Sequence, residues 1–259
     1  MDRKIMNTAA FVPVRLSSSR LPAKSLLDLS GKPCFQRLVE RIKRSRGIQQ
    51  VVLCTTNNSE DDKIVNLAKK MNIKIYRGKE KDIIDRYYHA AKEFNIKNII
   101  NIDGDDIFCE PEFIEKTNNV LSGNKYDYVA WKDLPLGTTP IGIKFEALEK
   151  IWEKKDTNDT ETGWGKFFTE TGLFKIKYLS SDKIKSDEKS IRLTLDYPED
   201  YQLFQEIYKN LEEPFSLFDI TKLFSDKPEL KKINEGLLEI YKKNFESKST
   251  KIKLKNSKI

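Results

Sequence analysis

Glycine is scarce in this chain and late to appear: the first of eleven is Gly31. No glycine-rich loop follows the first apolar run. Neither G-x-G-x-x-G nor G-x-x-x-x-G-K-[ST] is present. Lys32 follows Gly31, but Pro33 comes next and no earlier glycine opens a loop. Histidine occurs once, as His89, inside a predicted helix. Multi-histidine metal sites are thereby excluded, and a Ser-His-Asp or Cys-His site has only this residue to use. A metal would be held by carboxylates and phosphate oxygens, which suits Mg2+. The three cysteines, Cys34, Cys54 and Cys109, are odd in number and widely spaced. They argue against a disulfide framework or a zinc site and for a reducing cytoplasm. No run approaches the roughly 18 uninterrupted apolar residues of a membrane helix. After the charged start at Asp2, Arg3 and Lys4, the run Thr8 to Val14 ends in Arg15 without a small-residue cleavage site. It reads as a first strand rather than a signal peptide.

The chain has 259 residues, 38% of them apolar and 10% aromatic. That is not a disordered composition, and the length suits one large domain or two small ones. Net charge is +7, which invites a nucleic-acid reading. Its distribution answers it. The segment from Lys242 to Ile259 holds seven lysines and one glutamate, Glu246, so six of the seven excess charges lie there. These lysines alternate with Ile252, Leu254 and Ile259, and Phe245 is the single aromatic among them, too few for stacking on successive bases. The expectation is a domain over 1–246 and a flexible basic tail over 247–259, with neither nucleic acid nor membrane as partner.

Apolar spacing predicts strands at Thr8 to Val14, Gln50 to Cys54, Ile73 to Tyr76, Asn98 to Ile102 and Tyr126 to Ala130. Helices are predicted between them, over Phe35 to Arg46, Ser59 to Met71, Asp82 to Phe94 and Pro111 to Leu121. Ser59 with Asp62 reads as a capping box, and Pro111 sits at a favoured first helical position. Alternation of this kind implies parallel βαβ crossovers: an α/β, Rossmann-like, mostly parallel sheet with helices on both faces. After Trp131 the alternation loosens. A helix is predicted over Phe145 to Lys154, strands at Leu173 to Leu179 and Ser190 to Leu195, and a helix over Pro198 to Leu211. Open parallel sheets bind ligands beyond the carboxyl ends of their strands, so chemistry belongs in the loops after Val14, Cys54, Tyr76, Ile102 and Leu195.

The first of these loops is the richest. From Pro13 to Lys24 it carries Arg15, Arg20, Lys24 and the consecutive Ser17, Ser18 and Ser19. Arginine offers a fork of donors to phosphate oxygens, lysine a movable charge, and hydroxyls add neutral donors. A polyphosphate needs that mixture.

The pattern R-x-x-S-S-R-L-P-x-K-x-L, followed by L-x-G-K-P at Leu29 to Pro33, is similar to the opening of the cytidylyltransferases that activate Kdo and acylneuraminate sugars. The nearest likeness is to their branch known from spore-coat polysaccharide biosynthesis. Further elements follow in order: Thr55-Thr56-Asn57-Asn58, Tyr76-Arg77-Gly78, Asp82 to Tyr88, Gly104-Asp105, Phe145 to Glu149, and Arg192 to Asp200. The resemblance runs from about residue 8 to 210.

It implies a nucleotide-diphospho-sugar transferase type of fold. The implied activity joins CTP to an acceptor oxygen with loss of pyrophosphate, using Mg2+, in surface-glycan precursor synthesis. Asp105 and Asp196 are implied as the metal carboxylates. Arg15 and Lys24, with Arg20, are implied for the triphosphate, and Arg15, Lys24 and Asp105 for the chemistry. Ser17, Ser18 and Ser19 would supply donors. Thr55, Thr56 and Asn57 would read the cytosine or ribose, and Arg77, Asp82, Asp85 and Arg86 the base or acceptor side. A homodimer is expected on the same ground. Read alone, Asp105 also suits a turn before Pro111, and Asp196 a cap for the helix near Pro198.

The chain departs from the family at several points. Ser17 and Ala23 stand where glycine is common, so this loop must form without glycine's freedom. Tyr197 replaces the usual threonine before Pro198. Leu136 to Lys144 lacks the expected acidic residues, and Thr160 to Phe168 replaces an expected Glu-His-Val-Thr element. The stretch of about 131–190 therefore reads as an acceptor-side insertion of its own kind, with Trp164, Lys166 and two phenylalanines lining a pocket or a subunit interface. Lys144, Lys166 and Arg192 are candidate cations for a phosphorylated or phosphonylated acceptor, as against a sugar acid. Two competing readings remain. Asp103-Gly104-Asp105 is also the D-x-D signature of nucleotide-sugar glycosyltransferases, and a nucleotide site can serve a non-catalytic binding protein.

Overall fold

Period-two alternation places successive strand residues on opposite faces of a sheet. In the computed structural model, which describes residues 7–255, this sorting is complete in the first strand, β1 (Thr8–Pro13). Ala9 and Phe11 enter one apolar core, Ala10 and Val12 the other. Val51 and Leu53 against Val52 and Cys54 do the same in β2 (Gln50–Thr56). A strand apolar on both faces must be covered on both, and it is.

The remaining strands are β3 (Lys74–Gly78), β4 (Asn98–Asn101), β5 (Tyr128–Trp131), β6 (Ile141–Lys144) and β7 (Ile176–Leu179). They form one seven-stranded sheet in the order β3-β2-β1-β4-β6-β5-β7. One face carries α1 (Cys34–Ile42), α2 (Asp62–Lys70), α4 (Pro111–Ser122), α7 (Pro198–Asn210) and α8 (Leu217–Asp226). The other carries α3 (Ile83–Glu93), α5 (Phe145–Lys154) and the short α6 (Lys166–Thr169). A last helix, α9 (Leu237–Lys248), has no buried residue. No helix among the described residues is long and apolar enough to cross a membrane.

The strand order reverses direction at β1, which pairs in parallel with both β2 and β4. That is the switch point where the loops leaving two neighbouring strands part and open a crevice. The loops after β1 and β4 are the ones that carry Arg15 to Lys24 and Asp105.

Four expectations are corrected. β6 was not expected; it is a four-residue strand next to Pro140, held by antiparallel pairing with β4 and β5, and it makes the sheet mixed. Ser190 to Leu195 is extended but is no strand of the sheet. Ile191, Leu193 and Leu195 are buried, yet the backbone bonds go to a loop, Leu193 N to Leu136 O at 2.7 Å and Leu136 N to Ile191 O at 3.1 Å. Ser59 caps nothing; it opens a single 3-10 turn, Ser59–Asp61, ahead of α2. The tail from residue 247 is not loose where it is described. α9 continues to Lys248, and residues 250–255 bond to the body, Thr250 N to Thr162 O at 2.9 Å and Asp156 N to Lys253 O at 2.8 Å. Ile252 and Leu254 pack on the second core. The charged start before Asn7 and the end beyond residue 255 lie outside the described residues.

Candidate functional site

The loop after β1 is built around buried hydrogen bonds rather than glycines. Leu16 N donates to Asp61 Oδ1 at 2.8 Å, and Ala23 N returns to Leu16 O at 3.3 Å. The loop closes into a 3-10 turn, Lys24–Leu26, with Ala23 ahead of it at φ 50°. This geometry points Lys24 into the crevice.

From the neighbouring strand, β4, the chain passes Gly104. A Cβ there would meet Val14 Cγ2 at 2.5 Å and Pro13 O at 2.6 Å. The glycine lets the two loops touch, and Asp105 follows directly. Leu195 N donates to Asp105 O at 2.9 Å, which brings the distant segment before α7 alongside. Asp196 comes next. In α7's first turn, Asp200 accepts from Asp196 N at 2.9 Å and from Tyr197 N at 3.0 Å. Tyr197 makes no side-chain cap bond; Asp200 instead reaches back to the two amides that precede α7.

Three loops therefore converge. Lys24 Nζ lies 2.6 Å from Asp105 Oδ2 and 2.6 Å from Asp196 Oδ1. Arg20 Nη2 is 3.0 Å from Asp196 Oδ1. Arg192, nearly fully buried, grips Asp200 at 2.9 Å and touches Asp196 Oδ2 at 3.4 Å. Burial pushes the Asp196 carboxyl up, but Lys24 and then Arg20 outweigh it and hold it at about 2. Burial disfavours the Lys24 ammonium, and Asp105 and Asp196 more than restore it, so its pKa is raised. Burial first, and the Asp105 carboxylate second, push Asp103 up to about 6. The same causes push Asp106 well above the usual range.

These groups line a cavity of about 350 Å³. Arg15, Ser17, Ser18, Ser19, Arg20, Lys24, Asp105 and Asp196 all reach it. Arg15 is held between Glu161 at 3.3 Å and Glu80 at 3.4 Å. Arg86 enters the lining with Glu161 at 3.1 Å and does not pair with Asp85. Asp85 accepts instead from Trp152 Nε1 at 3.0 Å and from Lys79 at 3.3 Å.

Six expected contacts are not brought to the cavity, Asp85 and the five that follow. Thr55 and Thr56 are fully buried in the sheet, and the Thr56 hydroxyl is bound to Asp61. Asn57 N is tied to Gly78 O at 3.2 Å. Arg77 fastens the loop before α2, donating to Thr56 O and Asn58 O at 2.8 Å each. Asp82 is buried, caps α3 through Asp85 N at 3.1 Å and pairs with Lys155. Their order along the chain is family-like, but Thr56, Arg77 and Asp82 put their side chains to structural use. Lys144 bonds Asn124 at 2.6 Å, and Arg192 is committed to Asp200, so neither is free for an acceptor. Phe167 and Phe168 are core residues, while Trp164 lines the cavity. His89 is a helix-surface residue whose Nε2 stands 3.6 Å from Asp85.

Sequence reasoning missed Asp61, which holds the loop from outside the cavity, and three parts of the lining itself: Asp106, Glu161 and one face of α9, Tyr241, Asn244, Phe245 and Lys248. The i, i+3, i+4, i+7 spacing of that face was the available signal. The tail's lysine content obscured it.

A family model described as Cytidylyltransferase matches residues 9–234. An uncharacterised protein of Methanocaldococcus jannaschii is 34% identical over 238 residues, covering 90% of this chain and 96% of its own. The spore coat polysaccharide biosynthesis protein SpsF of Bacillus subtilis is 24% identical over 215 residues, covering 80% and 89%. A cytidylyltransferase structure from Leptospira borgpetersenii superposes with a TM-score of 0.79 at 25% identity, over 87% of this chain and 96% of that one. The likeness is therefore not particular to the spore-coat branch.

Proposed function

The chain belongs to the cytidylyltransferase family, and on that premise we propose that it transfers CMP from CTP to a small anionic acceptor. The acceptor is a sugar acid or a phosphorylated or phosphonylated compound. Its oxygen attacks the α-phosphorus, the bond to the β-phosphate breaks, and pyrophosphate leaves. The observation that carries this reading is the junction of Lys24 with Asp105 and Asp196, 2.6 Å to each.

Two carboxylate oxygens converge there on one cationic nitrogen. Such a pair fits Mg2+, which takes one or two carboxylates and completes its shell with phosphate oxygens and water. Asp105 and Asp196 would hold it. Once bound, the metal would supply Lewis-acid charge neutralisation to the phosphate oxygens. The chain's own part is positioning and charge. Lys24 turns from the carboxylates to the phosphates, and Arg20 and Arg15 stabilise the charge that builds on departing pyrophosphate. Ser17, Ser18 and Ser19 orient the phosphate chain as neutral donors. Asp200 and Arg192 keep Asp196 in place.

The reading places the protein in surface-glycan precursor synthesis, in keeping with the name of its spore-coat relative. Three free, buried thiols suit a cytoplasmic setting. The test is pyrophosphate release and formation of a CMP-linked product, or of a CDP-linked one from a phosphorylated acceptor, from CTP and Mg2+ over a panel of acceptors. ATP and UTP serve as controls. Asp105→Asn and Asp196→Asn should each lose at least 100-fold in turnover while still binding CTP without metal. Turnover of a nucleotide sugar without use of CTP would overturn the proposal, as would full activity in both variants.

A further inference from the structure

A surface helix normally buries one face. α9 buries none, yet Tyr241, Asn244, Phe245 and Lys248 from one of its faces line the cavity. Their partners tie that face to the reaction centre. Asn244 Nδ2 donates to the Tyr197 hydroxyl at 3.0 Å. The Tyr197 ring lies 5.2 Å from the Arg20 guanidinium, which in turn meets Asp196. The Tyr241 ring lies 4.8 Å from the Arg192 guanidinium.

The chain beyond α9 fastens it there. Thr250 N bonds Thr162 O at 2.9 Å, and Lys255 N bonds Lys154 O at 2.8 Å. Gly163, at φ 79°, has room only for hydrogen, because a Cβ would stand 2.2 Å from Ser249 Oγ. So the strand-like end is packed against Thr162 and Gly163, which are themselves cavity residues.

The needs of a metal-bound triphosphate are met by the loop after β1 and by Asp105 and Asp196. The α9 face is chemically different: two aromatic rings, an amide and a lysine, with Trp164 nearby in the lining. Aromatic faces pack on the C–H face of a ring, an amide pairs with hydroxyls, and an ammonium seats an anion. Lys248 has no ion-pair partner among the described residues, and Lys166 Nζ lies 5.9 Å from the Phe245 ring.

We infer that this face of α9 is the acceptor-binding wall of the cavity, built for a hydroxylated ring that bears a carboxylate or a phosphate. The inference rests on the cytidylyltransferase reading of the cavity and adds which residues select the acceptor. A lysine-rich C-terminus that looks like an appendage is thereby part of the site.

The test is ligand-observed NMR on the full chain with Mg2+ and α,β-methylene CTP bound. The probes are N-acetylneuraminate as a sugar acid, glucose 1-phosphate as a sugar phosphate and glucose as the neutral control. One anionic probe should bind and glucose should not; which one binds decides between carboxylate and phosphate. Lys248→Met and Phe245→Ala should weaken that probe at least tenfold and leave the nucleotide analogue within twofold. Both positions are exposed on α9, so folding is spared; circular dichroism checks it. If neither anionic probe binds, or if both variants bind it as the wild type does, the inference is overturned. Equal loss of the nucleotide analogue in the variants would also overturn it, by placing α9 on the nucleotide side. Failure of the analogue to bind the wild type removes the cytidylyltransferase reading itself, and this inference with it.

Discussion

The ammonium of Lys24 lies 2.6 Å from the carboxylate of Asp196, a residue 172 positions further along the chain. Asp105 completes the junction from the other side. The contact joins two distant parts of the fold, and on the proposed reading a bound Mg2+ would compete with the Lys24 ammonium for the two carboxylates.

Lys24→Met should therefore destabilise the metal-free protein and make it depend on Mg2+. Breaking a buried pair costs about 3–5 kcal/mol, and the partial exposure of Asp105 lowers that to about 2–4 kcal/mol. The pH dependence has a definite sign. Asp196, held at about 2 against an ordinary 3.8, contributes stability above 3.8 that disappears as pH falls through 2. Lys24, raised above 10.5, contributes stability below 10.5 that disappears as pH rises through its folded value. The gap between wild type and variant should thus be widest between these limits and close on acidification. Urea denaturation at several pH values, with and without Mg2+, measures it. A gap of constant size, unaltered by Mg2+, would remove the junction from any account of stability or metal binding.

Cys34, Cys54 and Cys109 are all fully buried. Burial first, and Asp28 second, push the Cys34 thiol up to about 12; the other two are also pushed up, mainly by burial. The thiolate is the reactive form, so none should react in the native protein at pH 8. A thiol reagent should label three groups in urea and none before unfolding. Raised thiol values also mean that stability falls as pH climbs above about 9, because the unfolded chain then loses its thiol protons first. Native labelling of any cysteine would contradict the packing around it.

The parallel half of the fold was legible because its signals are local. Thr8 to Pro13 and Gln50 to Thr56 are apolar on both faces, and Pro111 marks a helix start. The converging residues Lys24, Asp105 and Asp196 stand out through the family resemblance, and the placement of Asp105 and Asp196 just past a strand or a strand-like run agrees with it. What escaped depends on partners distant in sequence. β6 exists only by pairing with β4 and β5. Ile191 to Leu195 alternates like a strand but spends its hydrogen bonds on Leu136 and Asp105. Thr55, Thr56, Arg77 and Asp82 sit where binding residues are expected; burial turns Thr55, Thr56 and Asp82 inward, and hydrogen bonds to Thr56 O and Asn58 O commit Arg77. Lysine content suggested a free tail; Ile252 and Leu254, two apolar residues within it, anchor it.

Ala23 has a left-handed backbone at φ 50°, where a Cβ is strained by roughly 1 kcal/mol or more. This is one of the two positions where the family commonly has glycine, so the loop forms here at a cost in strain. Ala23→Gly should relieve it, offset in part by the greater freedom of glycine in the unfolded chain. A net stabilisation of about 0.5 kcal/mol is expected, with the loop's contacts kept. Denaturation midpoints measure it. A lower midpoint in the glycine variant would mean that Ala23's methyl group packs better than its strain costs.

Asp61 is fully buried and has no ion-pair partner among the described residues; it accepts from Leu16 N at 2.8 Å, from Thr56 N at 3.3 Å and from the Thr56 hydroxyl. It thus holds the first residues of the loop after β1 against the end of β2. Hydrogen bonds to a charged acceptor are worth about 1.5–3 kcal/mol, and its removal leaves buried amides unpaired. Asp61→Ala should cost about 2–4 kcal/mol in stability. It should also raise the KM for CTP at least tenfold, because Arg15 to Lys24 lose their anchored starting point, while Asp105 and Asp196 stay in place. Asp61→Asn keeps one acceptor and should recover part of both losses. An alanine variant that loses stability but keeps its KM for CTP would show that the loop is held by its own turn at Lys24 to Leu26 rather than by Asp61.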